Sequence, residues 1–229
     1  MKHCILLHLY YQDLWEEFKS KLEPILNNNV HLYVTITEDN TQYTDDIRSI
    51  AKQVFLVENR GMDVGPFIYA YDKVKDLQYA SYLKLQSKKS LHSPSIGDKW
   101  RRDLYYPIVE NYELLIGKIK DCDYPVMLGE YNYYYDMIRE PKDSGNKIAA
   151  KPYLDKAVEE LKISDEGSFF AGTMFLTNSV YLETLFKDID LQKFYNKFEL
   201  GYHRDSFAHG MERALGYGIQ HYNGTYIVI

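Results

Sequence analysis

Two cysteines, Cys4 and Cys122, are all that the 229 residues contain. That is too few for a disulfide framework or a thiolate cage around a metal, and it fits a reducing compartment, the cytoplasm. Long apolar runs are also missing: none approaches the roughly 20 residues a membrane-spanning helix needs, so the chain reads as soluble. Its opening, Met1-Lys2-His3-Cys4-Ile5-Leu6-Leu7, is interrupted by His8 and lacks a small-residue cleavage site, which predicts a first strand and not a signal peptide. An excess of basic charge is absent, because 27 Lys and Arg face 33 Asp and Glu for a net charge of −6. That argues against nucleic acid as a partner, since its binding footprint is a broad basic face. There is no Gly-x-Gly-x-x-Gly, Walker lysine loop, Gly-x-Ser-x-Gly elbow or zinc spacing. These absences count against a dehydrogenase, an ATPase, an esterase and a metalloprotease, and no organic cofactor is expected. Without internal repeats or low-complexity segments, residues 1–229 are expected to form one domain, a routine size for an α/β fold.

What the chain does have is tyrosine, 23 of them, clustered at Tyr10-Tyr11, Tyr105-Tyr106 and 131–135. Such rings stack on nucleobases or sugars, or serve as ordinary half-buried strand residues, and composition does not separate the two. Hydrophobic periodicity predicts strands at 5–10, 30–36, 54–57 and 80–85, with helices at 13–22, 45–52 and 63–75 between them. This alternation implies a mainly parallel sheet covered by helices. Beyond Ser90 the rhythm changes. Helices are expected at 99–111, 112–119, 152–161, 179–186 and 206–215, strands at 125–134, 168–176 and 222–229, and a loop at 140–147.

The most informative stretch is Glu58-Asn59-Arg60-Gly61-Met62-Asp63-Val64-Gly65-Pro66-Phe67, followed by Tyr82-Leu83-Lys84-Leu85-Gln86-Ser87-Lys88-Lys89-Ser90. Turn chemistry ends a strand and a helix begins, with Asp63 at its N-cap and Pro66 in its first turn. Ligands of open α/β sheets lie beyond the carboxyl ends of the strands, so Asn59, Arg60, Lys84, Lys88 and Lys89 are expected to converge on an anionic ligand. Arg60 offers a planar fork for phosphate. Gly61 and Gly65 permit tight backbone. Asp63 is either a cap worth about 1 kcal/mol or a ligand to a hydroxyl. A solvated charged face is the plain alternative for the lysine cluster.

These residues resemble the rhamnan synthesis F family, glycosyltransferase-like proteins that build rhamnose-containing cell-wall and O-antigen polysaccharides. Further blocks carry the likeness: Gly97-Asp98-Lys99-Trp100-Arg101 with Leu104, Phe169-Phe170-Ala171-Gly172-Thr173-Met174-Phe175, and His209-Gly210-Met211-Glu212-Arg213 with Leu215-Gly216. The resemblance implies a GT-A-like (Rossmann-like) α/β fold, with a mixed, mainly parallel sheet, residues 1–90 binding a nucleotide sugar and 91–229 forming the acceptor and catalytic half. The nucleobase would lie toward Tyr10 and Tyr11. Trp100, Arg101, Ala171, Gly172 and Thr173 would line the acceptor or sugar pocket. In that fold the fourth strand ends in an Asp-x-Asp that holds a divalent metal. Here it reads Lys84-Leu85-Gln86-Ser87-Lys88-Lys89, so lysines are expected to neutralise the leaving diphosphate. Mg or Mn lacks its usual motif, although Asp63 offers an alternative ligand for it.

Asp205, His209 and Glu212 have the spacing of one helix face. Glu212 is the expected general base, with His209 or Asp205 as runner-up. The plainer reading of Glu212 is a helix-surface residue paired with Arg213 or His209. A metal site built from the trio lacks a second His or Cys. The implied function is inverting transfer of a deoxyhexose, rhamnose from a dTDP-linked donor, to a growing cell-surface polysaccharide on a glycan or lipid-linked acceptor. This would occur in the cytoplasm at the inner face of the membrane, with peripheral association to the membrane or an assembly complex. The alternative is a noncatalytic glycan- or nucleotide-binding component of such a complex.

Overall fold

The structure is a computed structural model that describes residues 1–38, 41–89, 94–136, 144–203 and 205–229. Its first half follows the predicted alternation closely: β1 (His3–His8), α1 (Trp15–Leu22), β2 (Val30–Ile36), α2 (Thr41–Ile50), β3 (Gln53–Leu56), α3 (Val64–Val74) and β4 (Ser81–Gln86). After these come α4 (Pro94–Glu110), α5 (Tyr112–Ile119), β5 (Val126–Gly129), β6 (Tyr134–Asp136), α6 (Ser144–Leu161), β7 (Ser168–Phe170), β8 (Phe175–Asn178), α7 (Ser179–Leu185), α8 (Leu191–Tyr195), α9 (Phe207–His221) and β9 (Thr225–Val228).

Seven strands form one mixed sheet in the order β3-β2-β1-β4-β8-β5-β9, while β6 and β7 pair separately. β1 is parallel to β2 and β4, whereas β8 runs antiparallel to both β4 and β5. The sheet is therefore α/β and mainly parallel, and strands from both halves of the chain build it. Every residue of β1, β2 and β5 is buried, as a sheet covered on both faces requires. Alternation then sorts the side chains. Cys4 and Leu6 of β1 join Phe67, Ile68 and Tyr71 of α3 and Met211 and Leu215 of α9. Ile5 and Leu7 face the other way, onto Trp15 and Phe18 of α1, Leu104 and Ile108 of α4 and Leu115 of α5. Each such apolar side chain contributes about 1.5–3 kcal/mol by leaving water.

The second half departs from its predicted pattern in specific places. The run 168–176 is two strands in different sheets, because Gly172 (φ 87°) and Thr173 (φ 50°) turn left-handed and break it. The expected strand 125–134 is β5 followed by a short 3₁₀ turn, Tyr131–Tyr133, anchored by the Glu130 carboxylate. α6 starts at Ser144, inside the expected loop 140–147, and carries Pro152 in its interior; residues 140–143 and Ser90 lie outside the described residues. α8 was not anticipated, being five residues long and too short for a periodic signal.

β1 has β2 on one side and β4 on the other, so the chain direction of the crossovers reverses between them. A crevice at such a switch point, beyond the carboxyl ends of the strands, is where open α/β sheets bind ligands. Here the switch point lies beyond His8 and Gln86, the last residues of β1 and β4. Among the described residues no helix is long and apolar enough to cross a membrane.

Candidate functional site

The turn after β3 aims the site. Gly61 (φ 68°) donates its N–H to the Glu199 carbonyl at 2.9 Å, and a Cβ there would stand 2.6 Å from the Phe198 ring. At Gly65 a Cβ would meet the Arg60 carbonyl oxygen at 2.1 Å. Only glycine lets the chain fold back this tightly. The fold-back puts Asp63 at the N-cap position of α3, yet its side chain makes no capping hydrogen bond. The carboxylate turns to the sheet instead.

There it meets Lys84, whose side chain is 1% exposed against 15% for Asp63. Lys84 Nζ donates to Asp63 Oδ2 at 2.6 Å, to the Thr173 carbonyl at 2.8 Å and to Thr173 Oγ1 at 3.0 Å. An ammonium has three N–H donors and no more. The Thr173 hydroxyl donates in turn to Asp63 Oδ2, and the Phe67 ring centroid lies 5.7 Å from Nζ. Burial alone would push the Asp63 carboxyl up. The Lys84 charge, hydrogen bonds from Lys84 and Thr173, and the charge of Lys88 together hold it below the usual carboxylate range. Burial lowers the Lys84 pKa more than the attraction of Asp63 and Glu212 raises it. Nearby, burial is the main cause that lowers His8 to about 4, and its Nδ1 lies 3.0 Å from Thr35 Oγ1.

The left-handed turn connects this ion pair to the C-terminal half. Gln86 Nε2 donates to the Gly172 carbonyl at 2.7 Å, and the Gly172 N–H donates to Glu212 Oε1 at 2.7 Å. Glu212 on α9 is thus fixed by one oxygen, while Oε2 stands 3.7 Å from Arg213 Nη1. A Cβ on Gly172 would lie 2.6 Å from Leu104 Cδ1 and 3.6 Å from Trp100 Nε1. Among the described residues the Trp100 indole nitrogen is buried without a hydrogen-bond partner, and its ring stacks on Tyr133 at 5.8 Å between centroids. Lys88 Nζ lies 3.7 Å from the Trp100 ring centroid. Among the described residues Lys88 makes no ion pair.

The remaining sequence-predicted residues are distributed differently. Lys89 pairs with Asp13 and sits 5.2 Å from the Tyr11 ring centre. Tyr11 takes its place through a bond from its N–H to Ser87 Oγ at 2.9 Å and meets Tyr10 edge-on at 4.9 Å. Tyr10 is 42% exposed, leaving one ring available at the mouth of the crevice. Asn59 contributes its carbonyl to the Gly201 N–H at 2.7 Å. Ala171 donates its N–H to the Tyr133 carbonyl at 2.8 Å and is half-buried beside Gly172 and Thr173.

Three expectations need correction. The Arg60 fork is bound within the protein, to Glu58 Oε2 at 3.0 Å and the Phe198 carbonyl at 2.7 Å, so it is not a free phosphate clamp. Arg101 is 1% exposed and is fully engaged: Glu17 at 3.0 and 2.6 Å, Asp98 at 2.9 Å and the Lys88 carbonyl at 2.7 Å. It braces the Lys88 backbone from inside. Asp205 shares no helix face with His209 and Glu212. Ser206 is extended (φ −159°), and the Glu199 carboxylate accepts from the Phe207 N–H at 3.1 Å, which starts α9 only at Phe207. Asp205 is exposed outside the helix, and His209 Nδ1 turns to Ser206 Oγ at 3.1 Å.

The residues do not fit a divalent metal at Asp63. Its charge is already matched by a buried ammonium, which would repel a second cation. Among the described residues, no group of three or more His, Cys, Asp or Glu is arranged to hold a metal ion. Gln86, His8 and Tyr133 are site neighbours that the sequence reading missed. For Gln86 the signal was its place between Lys84 and Lys88.

Fold and site together define an α/β protein whose sheet switch point carries a lysine with no ion pair among the described residues, a Trp100–Tyr133 stack and an anchored carboxylate. Residues 1–223 match the family model of rhamnan synthesis protein F, and the chain belongs to that family of rhamnose-polysaccharide synthesis proteins. It is 24% identical over 227 residues to the uncharacterized protein WxcX of Xanthomonas campestris pv. campestris strain ATCC 33913, a match covering 95% of this chain and 31% of the relative. Against WxcX of strain B100 it is 25% identical over 236 residues, with the same coverage of 95% and 31%. The chain therefore spans about a third of the length of these curated relatives.

Proposed function

We propose that this chain is an inverting glycosyltransferase unit that moves a deoxyhexose, rhamnose, from a dTDP-linked donor to a growing polysaccharide. The observation that carries the reading is Lys88, a cation without an ion pair among the described residues that rests on Trp100 just past the end of β4, beside the turn that fixes Glu212. The strand order, with a reversed strand beside the fourth, supports likening the fold to GT-A.

In this reading the diphosphate lies beyond β1 and β4 near Lys88, and the base lies against Tyr10. Glu212 takes the proton from an acceptor hydroxyl. The freed oxygen attacks the anomeric carbon from the face opposite the diphosphate, the carbon–oxygen bond to phosphate breaks, and its electron pair leaves with the diphosphate. Lys88 stabilises that developing charge where a metal would otherwise act. Asp63, Lys84 and Thr173 position the turn and touch no reacting atom. Trp100, stacked on Tyr133, seats Lys88 over its ring. A lipid-linked acceptor would place the reaction at the inner face of a membrane.

One observation favours the second reading, a noncatalytic glycan- or nucleotide-binding component of an assembly complex. The Gly172 N–H already holds Glu212 Oε1 at 2.7 Å and Arg213 Nη1 stands 3.7 Å from Oε2, so the carboxylate is engaged within the protein before any acceptor arrives. The test is a panel of nucleotide sugars ranked by thermal shift in EDTA, followed by product analysis with an oligosaccharide acceptor. Transfer with inversion supports the enzyme; tight donor binding without transfer supports the binding component.

A further inference from the structure

Away from the crevice, α3 and α8 enclose a cleft lined by Tyr69, Asp72, Lys73, Gln192, Tyr195 and Asn196. Nothing in the reaction just described uses it. We infer that this cleft is a second carbohydrate subsite, taking a neutral deoxyhexose oligosaccharide, and the inference rests on the reading of this chain as handling a rhamnose polymer.

Its chemistry differs from that of the crevice. Half-buried Tyr69 and buried Tyr195 meet at 5.5 Å with a 61° angle between their planes, forming an aromatic wall over which Lys73 Nζ stands 5.2 Å from the Tyr69 ring centre. Gln192 and Asn196 are both exposed, one helical turn apart, and their side-chain amides make no hydrogen bond among the described residues. Each offers N–H donors and a carbonyl acceptor in one plane. Asp72 is bracketed by Lys75 at 2.7 Å and Lys73 at 3.5 Å, so the carboxylate can accept a hydroxyl without presenting a bare charge. Burial, with the Glu58 charge adding to it, pushes the Tyr195 phenol up to about 12, so it stays a neutral O–H group.

An aromatic wall, two free planar amides and a charge-balanced carboxylate match a pyranose, which has an apolar C–H face and an edge of hydroxyls. The methyl group of a deoxyhexose enlarges the apolar face. A phosphate would find no free cationic fork, because Arg60, which borders the cleft through the Asn196 and Phe198 carbonyls, is already bound. Arg60 donates to the Asn196 carbonyl at 3.5 Å and the Tyr195 hydroxyl donates to the Glu58 carbonyl at 3.4 Å, so the cleft adjoins the turn after β3. A polymer held there would stay attached between additions.

The test is saturation-transfer NMR of an α-linked rhamnose trisaccharide on the wild-type chain, with no nucleotide present. Gln192→Ala and Asn196→Ala are surface changes that leave the fold intact. Each is expected to weaken binding about fivefold, the scale of one lost hydrogen bond, and the double variant to abolish detectable transfer. A parallel titration with dTDP should give the same affinity in all variants. If wild type and double variant bind the trisaccharide equally, or neither binds it, the subsite is refuted even where dTDP binds normally. If the trisaccharide is lost in Lys88→Ala instead, the sugar occupies the crevice and not the cleft. Failure of dTDP binding with the trisaccharide still held at Gln192 and Asn196 would overturn the transferase reading alone.

Discussion

Replacing Lys84 by methionine should destabilise the protein strongly and in a pH-dependent way. The substitution keeps the volume of the chain but removes all three bonds that Nζ makes to Asp63 and Thr173. It leaves a carboxylate whose side chain is 15% exposed without its counter-charge. Removing one partner of a buried pair costs about 3–5 kcal/mol. A ceiling follows from proton uptake: a carboxyl of ordinary pKa about 3.9 can be neutralised at pH 7 for roughly 4 kcal/mol, and at pH 5 for roughly 1.5 kcal/mol. The sign is fixed by Asp63. In the wild type its lowered pKa gives stability that is present above the unfolded value and lost as pH falls through the folded one. In Lys84→Met the pKa is raised, so the penalty grows between pH 5 and pH 7. Urea titrations at both pH values should show a loss near 4 kcal/mol at pH 7, shrinking by about half or more at pH 5, with a melting point about 10 °C lower at pH 7. The double variant Asp63→Asn/Lys84→Met should recover part of the loss. A loss under about 1 kcal/mol at pH 7, or one independent of pH, would refute the view of Lys84 as an internal structural cation.

Glu212→Gln retains an oxygen for the Gly172 N–H, so donor affinity and melting point should hold while turnover falls about 10²- to 10⁴-fold, read by product formation under saturating donor. His8 is buried with a pKa near 4; because the unfolded state binds its proton first, the wild type should lose about 2 kcal/mol more than His8→Gln between pH 7 and pH 5, measured by urea unfolding. Gly172→Ala forces a side chain into φ 87° and against Leu104, which should cost about 1–3 kcal/mol and release Glu212; an unchanged melting point would contradict the turn's role. Transfer should persist in EDTA, and full restoration by Mn or Mg after complete loss would show that a cation acts where Lys88 is placed.

The parallel half was legible because its elements carry strong local signals. Trp15, Phe18 and Leu22 repeat at helical spacing, and 30–36 alternates as a strand. The site was legible as a set of motifs but not as a set of partners. Lys84 and Lys89 read alike in sequence, yet one lies beneath the turn with Asp63 and the other at the surface with Asp13. Charge at a strand end says nothing about which acid folds over it. Arg101 looked like a ligand residue because its partner, Glu17, is 84 positions away. The break at Gly172 and Thr173 was hidden by apolar neighbours that suit a core strand equally well, although the glycine itself marked a close approach. Spacing alone puts Asp205 on a helix face with His209 and Glu212, and an extended Ser206 with a cap from Glu199 decides otherwise.

The central claim is that the crevice beyond β1 and β4 binds a nucleoside diphosphate sugar through Lys88. Calorimetric titration of dTDP-rhamnose in EDTA, on the wild type and on Lys88→Ala, tests it most directly. The account predicts measurable binding by the wild type, a loss of about tenfold or more in the variant, as for a charge-assisted hydrogen bond, and an unchanged melting point, since Lys88 makes no ion pair among the described residues. Equal affinity in the two proteins, or no binding by the wild type of this or any other nucleotide sugar, would contradict it.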